Sequence, residues 1–155
     1  MFRRTVPLSE TKTWDEISLE VRKSYKNACI VYIDECISSY LKTRYGKKEG
    51  MKEVLVWHGT KEDVIDKICK EGFDPKYNKR SRYGKGVYFS SDLKISLDEE
   101  YASKDTGELN NVFFCKICFT KGNVTMDDEQ NPKIFVIPSI EQSIPLFIVG
   151  FYKTS

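Results

Sequence analysis

Two short stretches, VLVWHGT at residues 54–60 and YGKGVYF at residues 83–89, decide how this chain is expected to fold. Each joins a run of valine and aromatic residues to glycines, and the first carries His58, the one histidine of the sequence. Branched and aromatic residues favour strands. A glycine at a strand end lets a ligand or another backbone approach closely. The two stretches therefore predict strands whose ends line a cleft, with an imidazole, aromatic rings and glycines on its walls.

The periodicity of the surrounding sequence predicts an α+β fold with a mostly antiparallel sheet. Apolar residues at helical spacing place a helix near Trp14, capped by Ser9 or Thr13. They place another helix before Gly72, with Val64, Ile65 and Ile68 facing inward. A second amphipathic stretch begins at Cys36. Strands are expected at 28–33, 54–57, 86–89, 112–119, 134–137 and 146–151. Because helices cluster early and strands late, the class is α+β and not alternating α/β.

The composition excludes several classes of protein. With 155 residues and 18.0 kDa, the chain is expected to form a single domain, residues 1–155. One histidine excludes a metal centre built on two or more histidines. A net charge of +2 makes no case for bulk binding to nucleic acid, and no apolar run approaches the roughly 20 residues of a membrane helix. The first residues lack the apolar segment of a signal peptide. Five cysteines, an odd number, indicate reduced thiols and an intracellular protein, cytoplasmic or nuclear.

Two local motifs favour structural roles over chemistry. Cys115 and Cys118 have the spacing of a zinc ligand pair, but in a strand they point to opposite faces and their neighbours are apolar, so we interpret them as core thiols. Gly84 and Gly86 flank a lysine as in a phosphate-binding loop, yet the spacing of neither a Walker nor a dinucleotide motif is met. These glycines are expected to supply a positive φ or a close approach at the start of a strand.

The order of the motifs resembles a known catalytic domain. His58-Gly59-Thr60, then a basic loop, residues 83–89 and a late Phe-Val-Ile strand look like the diphtheria-toxin-like ADP-ribosyltransferases of the poly(ADP-ribose) polymerase superfamily. The mono-ADP-ribosylating, macrodomain-linked branch is the most similar. The resemblance implies the ADP-ribosyltransferase fold, with split antiparallel sheets and flanking helices. It also implies an NAD-binding core at residues 53–155, after a shortened N-terminal part at residues 1–52.

The family's site residues carry over onto five positions of this chain. The resemblance implies that His58 binds a ribose hydroxyl of NAD and that the backbone of Gly59 pairs with the nicotinamide carboxamide. It also implies that Tyr88 and Tyr101 sandwich the nicotinamide ring and that the Ser96 hydroxyl bonds its carboxamide. A planar cationic ring between two phenols gains about 0.5–1.5 kcal/mol per aromatic contact beyond the area that it buries.

The third position of the family's catalytic triad distinguishes two kinds of transferase. Polymerising members have a glutamate there, eight residues before a glutamine; here Ile134 stands at that distance from Gln142. An isoleucine provides no base to activate a hydroxyl acceptor. The resemblance therefore implies a His58-Tyr88-Ile134 triad that transfers a single ADP-ribose from NAD, the co-substrate, to a protein acceptor, without a metal.

Other functions are compatible with parts of the pattern. A catalytically silent module that binds NAD or ADP-ribose is the main alternative, although such relatives typically lose the histidine. An NAD-dependent RNA 2′-phosphotransferase needs several histidines and arginines. Nucleic acid is a possible partner that nothing specific indicates, and no membrane partner is expected. Lys79, Arg80 and Arg82 lie in the loop that flanks the donor, where they either meet its pyrophosphate or are simply solvated.

Overall fold

The structure is a computed structural model that describes residues 2–77, 82–97 and 107–154. Within those residues the chain forms four α-helices and eight strands. The helices are α1 (Thr11–Arg22), α2 (Ser39–Arg44), α3 (Ile65–Glu71) and α4 (Leu93–Leu97). The strands are β1 (Arg3–Thr5), β2 (Cys29–Cys36), β3 (Lys52–Gly59), β4 (Val87–Ser90), β5 (Asn110–Phe119), β6 (Thr125–Met126), β7 (Ile134–Ile137) and β8 (Ser143–Tyr152).

All the strands pair antiparallel in one sheet of order β1-β2-β8-β5-β3-β4-β7-β6. This confirms the α+β class and the antiparallel sheet. Between β3 and β5 the register runs over eight residue pairs, whereas β3 and β4 share one pair, Trp57 with Ser90. We call this contact the β3–β4 junction. It divides the sheet into a five-stranded and a three-stranded part, in agreement with the split sheet implied by the resemblance.

The core lies on both faces of the sheet. Alternate residues of β5 enter two separate clusters: Phe113 packs in the first cluster and Val112 in the second. Helix α3 covers the first cluster through Ile65, while α1 and α4 cover the second. Burial of apolar side chains on both faces makes β5 the centre of the fold.

Two local predictions are wrong. Helix α1 begins after Glu10, without a side-chain cap, and not after Ser9 or Thr13. Cys36 does not start a helix, because β2 continues through it. Ser38 then starts α2 by accepting a hydrogen bond from the Leu41 amide. The short edge strands β1 and β6 were not predicted from the sequence.

The glycines of the loop before β4 have the structural role expected of them. Gly86 has φ of 151°, and a Cβ atom there would lie 2.7 Å from Cγ1 of Val136 and 2.9 Å from the carbonyl oxygen of Ile137. Glycine is therefore required for both backbone conformation and space. Its absence of a side chain lets this loop lie directly against β7.

Candidate functional site

His58 and Tyr88 meet across the β3–β4 junction. His58 is the second-last residue of β3, and Tyr88 is the second residue of β4. The imidazole Nδ1 donates a hydrogen bond to the backbone carbonyl of Tyr88 at 2.9 Å. A carbonyl only accepts, so Nδ1 carries the hydrogen, and the neutral ring presents Nε2 as an acceptor. The junction thus holds the Nδ1 donor against the backbone of Tyr88 and leaves Nε2, the other ring nitrogen, as the acceptor.

Two aromatic side chains surround the imidazole. The ring of Phe73 lies edge-on at 4.8 Å between centroids, and Phe89 lies at 5.4 Å. Burial among these rings lowers the pKa of His58 to about 4, and the Tyr88 carbonyl opposes this shift only in part. His58 is therefore neutral above about pH 5, so its Nε2 is available to accept a hydrogen bond from a hydroxyl group.

The phenol of Tyr88 is fixed by the loop that precedes it. Its hydroxyl donates to the carbonyl oxygen of Gly84 at 2.7 Å and accepts from the amide of Tyr83 at 2.9 Å. Both partners belong to the loop that Gly86 holds against β7. A tyrosine ring fixed at its hydroxyl end presents one orientation to a ligand, which reduces the entropy lost on stacking.

Gly59 and Ser96 are in direct contact. A Cβ atom on Gly59 would lie 2.5 Å from the carbonyl oxygen of Ser96, so only glycine fits at this end of β3. The Ser96 hydroxyl is buried, donates to the carbonyl oxygen of Trp57 at 3.1 Å and lies against the hydroxyl of Ser90. Ser96 is thus held beside the backbone of Gly59 but already has partners within the protein.

Ile134 begins β7, where it pairs with Ser90 of β4. Tyr88 pairs two positions further along, with Val136. Directly opposed residues of an antiparallel pair share a face, and residues two apart do so as well. Ile134 and Tyr88 therefore lie on the same face of adjacent strands, which brings the third predicted triad position next to the second.

A cavity of about 220 Å³ opens beside His58. We call it the His58 cavity, and its walls are His58, Gly59, Thr60, Val64, Lys67, Ile68, Glu71, Gly72, Phe73, Asp74, Tyr77 and Val87. Two of the predicted residues, His58 and Gly59, line it, whereas Tyr88, Ser96 and Ile134 do not. Its volume lies below the roughly 300–1,000 Å³ that is typical of a small-molecule site.

Most of the cavity wall was missed by the sequence analysis, which assigned Val64 and Ile68 to the core side of a helix. In the structure both are half-buried and face the cavity. Lys67 lies on the same wall, with its Nζ atom 3.8 Å from the centroid of the Tyr77 ring. The sequence feature that could have predicted this wall is the helical spacing of four residues that follow His58, namely Thr60, Val64, Lys67 and Glu71.

The remaining aromatic and basic candidates follow α3 or α4 in the sequence. Tyr101, Lys79 and Arg80 lie outside the described residues. Arg82 is exposed, with its guanidinium carbon 5.2 Å from the centroid of the neighbouring Tyr83 ring.

Cys115 and Cys118 are both buried free thiols, as predicted. Cys115 packs in the first core cluster, and burial raises the pKa of its thiol. Throughout the described ranges, no group of three or more histidine, cysteine, aspartate or glutamate side chains is arranged to hold a metal ion. A search of the same residues finds no helix with the length and hydropathy needed to cross a membrane.

Comparison with known proteins identifies the family. The family model of the poly(ADP-ribose) polymerase catalytic domain matches residues 11–148, which is most of the chain. The chain belongs to the poly(ADP-ribose) polymerase catalytic domain family. The antiparallel sheet with its flanking helices is therefore the ADP-ribosyltransferase fold of this family, as the resemblance implied.

Several relatives of this poly(ADP-ribose) polymerase domain carry names that specify mono-ADP-ribosyl transfer. Human protein mono-ADP-ribosyltransferase PARP14 is 23% identical over an alignment of 127 residues, and the match covers 66% of this chain and 7% of the relative. Mouse PARP10 is 26% identical over an alignment of 120 residues, and the match covers 63% of this chain and 12% of the relative. Human PARP12 is 25% identical over an alignment of 145 residues, and the match covers 77% of this chain and 20% of the relative. The chain thus spans a fifth or less of the length of these relatives.

Proposed function

We propose that this domain is a mono-ADP-ribosyltransferase that uses NAD as co-substrate, releases nicotinamide and attaches one ADP-ribose to a protein side chain. The observation that supports it most is the geometry of the β3–β4 junction. There the His58 imidazole bonds the Tyr88 carbonyl at 2.9 Å, and Ile134 lies on the next strand, on the same face as Tyr88. The names of the relatives support transfer of single units.

His58 is proposed to bind NAD through a hydroxyl of ribose. Because Nδ1 is engaged by the Tyr88 carbonyl and the ring is neutral, Nε2 accepts the hydroxyl hydrogen. In this role His58 orients the substrate through a hydrogen bond and transfers no proton. It suits a transferase whose rate depends mainly on orientation of the reacting bond.

Tyr88, Gly59 and Ser96 are proposed to hold the nicotinamide end of NAD. The phenol ring of Tyr88, fixed at its hydroxyl by Gly84, offers a stacking face for a planar cation. The contact between Gly59 and Ser96 places a backbone edge and a hydroxyl side by side. Tyr101 is proposed as the second stacking ring on the basis of the family resemblance alone. Breakage of the bond between nicotinamide and ribose leaves the ribose carbon open to attack by the acceptor.

Ile134 is proposed to limit the reaction to one unit. Extension of a chain requires removal of a proton from a ribose hydroxyl of the unit already attached. Isoleucine has no group that accepts a proton, so it provides no general base at this position. A carboxylate acceptor on a target protein is already deprotonated at neutral pH and does not need such a base.

The experiment that tests the proposal is incubation with NAD and a mixture of candidate acceptor proteins, followed by intact-mass measurement. We expect adducts of one ADP-ribose per modified site and release of nicotinamide. His58→Ala and Tyr88→Ala should each abolish the adducts, whereas Tyr40→Ala, which alters an exposed tyrosine on α2, should not. Unfolding midpoints of all three variants establish that they are folded.

Two results would contradict the proposal. Long polymers in the mass spectrum would refute single-unit transfer. Binding of NAD with no release of nicotinamide under any condition would instead identify a silent binding module. We also propose an intracellular setting, supported by the free thiols of all five cysteines.

A further inference from the structure

Two cysteines from distant parts of the chain face each other beneath helix α3. Cys36 is the last residue of β2, and Cys69 lies in the last full turn of α3. Their sulfur atoms are 3.7 Å apart, although 33 positions separate the residues in the sequence. A disulfide bond has a sulfur–sulfur length of about 2.05 Å, so each atom needs to move only about 0.8 Å towards the other.

The environment of the pair distinguishes it from inert core thiols. The guanidinium of Arg3 lies between the carboxylates of Asp34 and Asp66, with Nε 3.4 and 3.5 Å from their oxygens. The hydrogen bond from Cys36 lowers the pKa of Cys69, and the charge of Arg3 adds to this shift against the effect of burial. The same hydrogen bond, together with burial, raises the pKa of Cys36. The lower pKa favours the thiolate at Cys69 over that at Cys36.

A path from solvent leads to the pair. Cys36 lines a second cavity, of about 270 Å³, together with Lys42, Tyr45, Lys116 and Pro145. The cavity is open to the surface and lies between α2 and the strands β5 and β8. A molecule as small as a hydroperoxide fits within this volume and meets Cys36 on its wall, and the Cys69 sulfur lies 3.7 Å from the sulfur of Cys36.

We propose that Cys36 and Cys69 form a reversible intramolecular disulfide when the protein meets a hydroperoxide. One sulfur attacks the outer oxygen of the hydroperoxide, the oxygen–oxygen bond breaks, and the thiol proton leaves with the released oxygen as an alcohol, or as water where the oxidant is hydrogen peroxide. The second sulfur then attacks the resulting sulfenic acid, the sulfur–oxygen bond breaks, and the hydroxyl leaves with the remaining thiol proton as water. Two thiols lose two electrons in total, and the hydroperoxide gains them.

The consequence of the bond is mechanical. Cys69 belongs to the helix whose exposed side supplies Lys67, Ile68 and Glu71 to the His58 cavity. A covalent link to the end of β2 fixes that helix to the five-stranded part of the sheet. Formation of the disulfide is independent of the proposed function; only its relevance to NAD rests on that proposal.

The experiment uses the whole chain, wild type and Cys29→Ser, because Cys29 is the exposed cysteine and is a route to intermolecular dimers. Each protein is treated with hydrogen peroxide, denatured, alkylated and weighed intact. We expect the mass of two hydrogen atoms to be lost before alkylation. We expect three of the five thiols of the wild type to remain alkylatable, and a dithiol reductant to restore all five. Proteolytic mapping should recover a peptide pair that joins Cys36 to Cys69.

Variants and exchange data complete the test. Cys36→Ser and Cys69→Ser should each prevent the loss of two hydrogens, whereas Cys115→Ser, at a buried thiol of the same core cluster, should not. Amide hydrogen exchange over residues 65–71 should slow by at least about threefold in the oxidised protein. The peptide map of the oxidised wild type shows whether Cys36 and Cys69 are joined, even where a variant fails to fold.

Three outcomes overturn the proposal. One is the persistence of all five alkylatable thiols after peroxide treatment. Another is addition of oxygen to either cysteine without a cross-link, or a cross-link that joins Cys36 to Cys115 instead. The last is a Cys36–Cys69 cross-link that leaves exchange in α3 unchanged, which refutes the mechanical consequence. None of these measurements involves NAD, so they stand apart from any failure of transferase activity.

Discussion

The folded state is expected to lose stability between pH 7 and pH 5 because of one imidazole. Burial lowers the pKa of His58 from 6.5 to about 4. Between these values the unfolded chain binds a proton that the folded protein does not bind, so the free energy of unfolding rises with pH across this window. Well above pH 6.5 the imidazole is neutral in both the folded and the unfolded state, so the free energy of unfolding has its full value. Lowering the pH from 7 to 5 should cost roughly 2 kcal/mol.

The assay is urea unfolding at closely spaced pH values for wild type and His58→Gln. Glutamine is uncharged at every pH, so the difference between the two curves isolates the imidazole. His58 is the one histidine of the sequence, and therefore no second imidazole contributes to this window. The lowered pKa values of Glu10 and Asp127 affect the curves below about pH 4.5.

An independent measurement checks the same reasoning. The proton spectrum of the protein should contain a single pair of imidazole resonances, whose titration reports the pKa of His58 directly. Parallel stability curves for wild type and His58→Gln would refute the argument. A titration midpoint near 6.5 would refute it as well, because His58 would then be solvated and charged over part of the physiological range.

Three substitutions test the rest of the site. Tyr88→Phe removes the hydroxyl that bonds Gly84, so it should lower the free energy of unfolding by about 1–3 kcal/mol and weaken NAD binding less than Tyr88→Ala, which also removes the ring. Gly86→Ala forces a Cβ against Val136 at a φ of 151° and should destabilise the protein by about 1–3 kcal/mol, measured by urea unfolding. Ile134→Glu supplies the missing base and should yield adducts of more than one ADP-ribose by mass, if the protein transfers single units as proposed.

Each of these substitutions has a matched control. Tyr40→Phe removes a hydroxyl from an exposed tyrosine, and Gly122→Ala adds a Cβ where nothing lies within 4 Å. Both should change stability by less than about 0.5 kcal/mol. Ile134→Gln introduces a polar group without a base and should leave the adduct size unchanged. A control as damaging as its partner would show that the argument from local contacts is wrong.

The central strands could be predicted from the sequence because their composition leaves little alternative. The run at residues 134–137 coincides with β7, and the strand at 112–119 differs from β5 only at its start, Asn110. Edge elements could not be predicted in this way. β1 contains two arginines, and Arg4 is held by ion pairs with Glu10 and Glu35, contacts that depend on the tertiary fold. The boundary at Cys36 failed for the same reason, since pairing with β1 extends β2 through that residue.

The candidate site was predictable where residues are adjacent in sequence and not where the fold brings them together. His58 followed by Gly59 at a strand end pointed to the cleft. The contact of His58 with the Tyr88 carbonyl depends on β4 meeting β3, which no local pattern encodes. The wall formed by α3 was missed because an apolar helical face is typical of both a core and a cavity lining, and Ile68 contributes to both.

The β3–β4 junction determines how this sheet responds to load. Paired residues of adjacent strands resist sliding of one strand past the other. Between β3 and β4 there is one such pair, Trp57 with Ser90, together with the hydrogen bond from the His58 imidazole to Tyr88. We therefore expect bending of the sheet to be concentrated at this line and to change the 2.9 Å separation between the His58 imidazole and the Tyr88 carbonyl. In mechanical terms the three-stranded part bends about the junction, so a ligand that contacts both His58 and Tyr88 would restrain that bending.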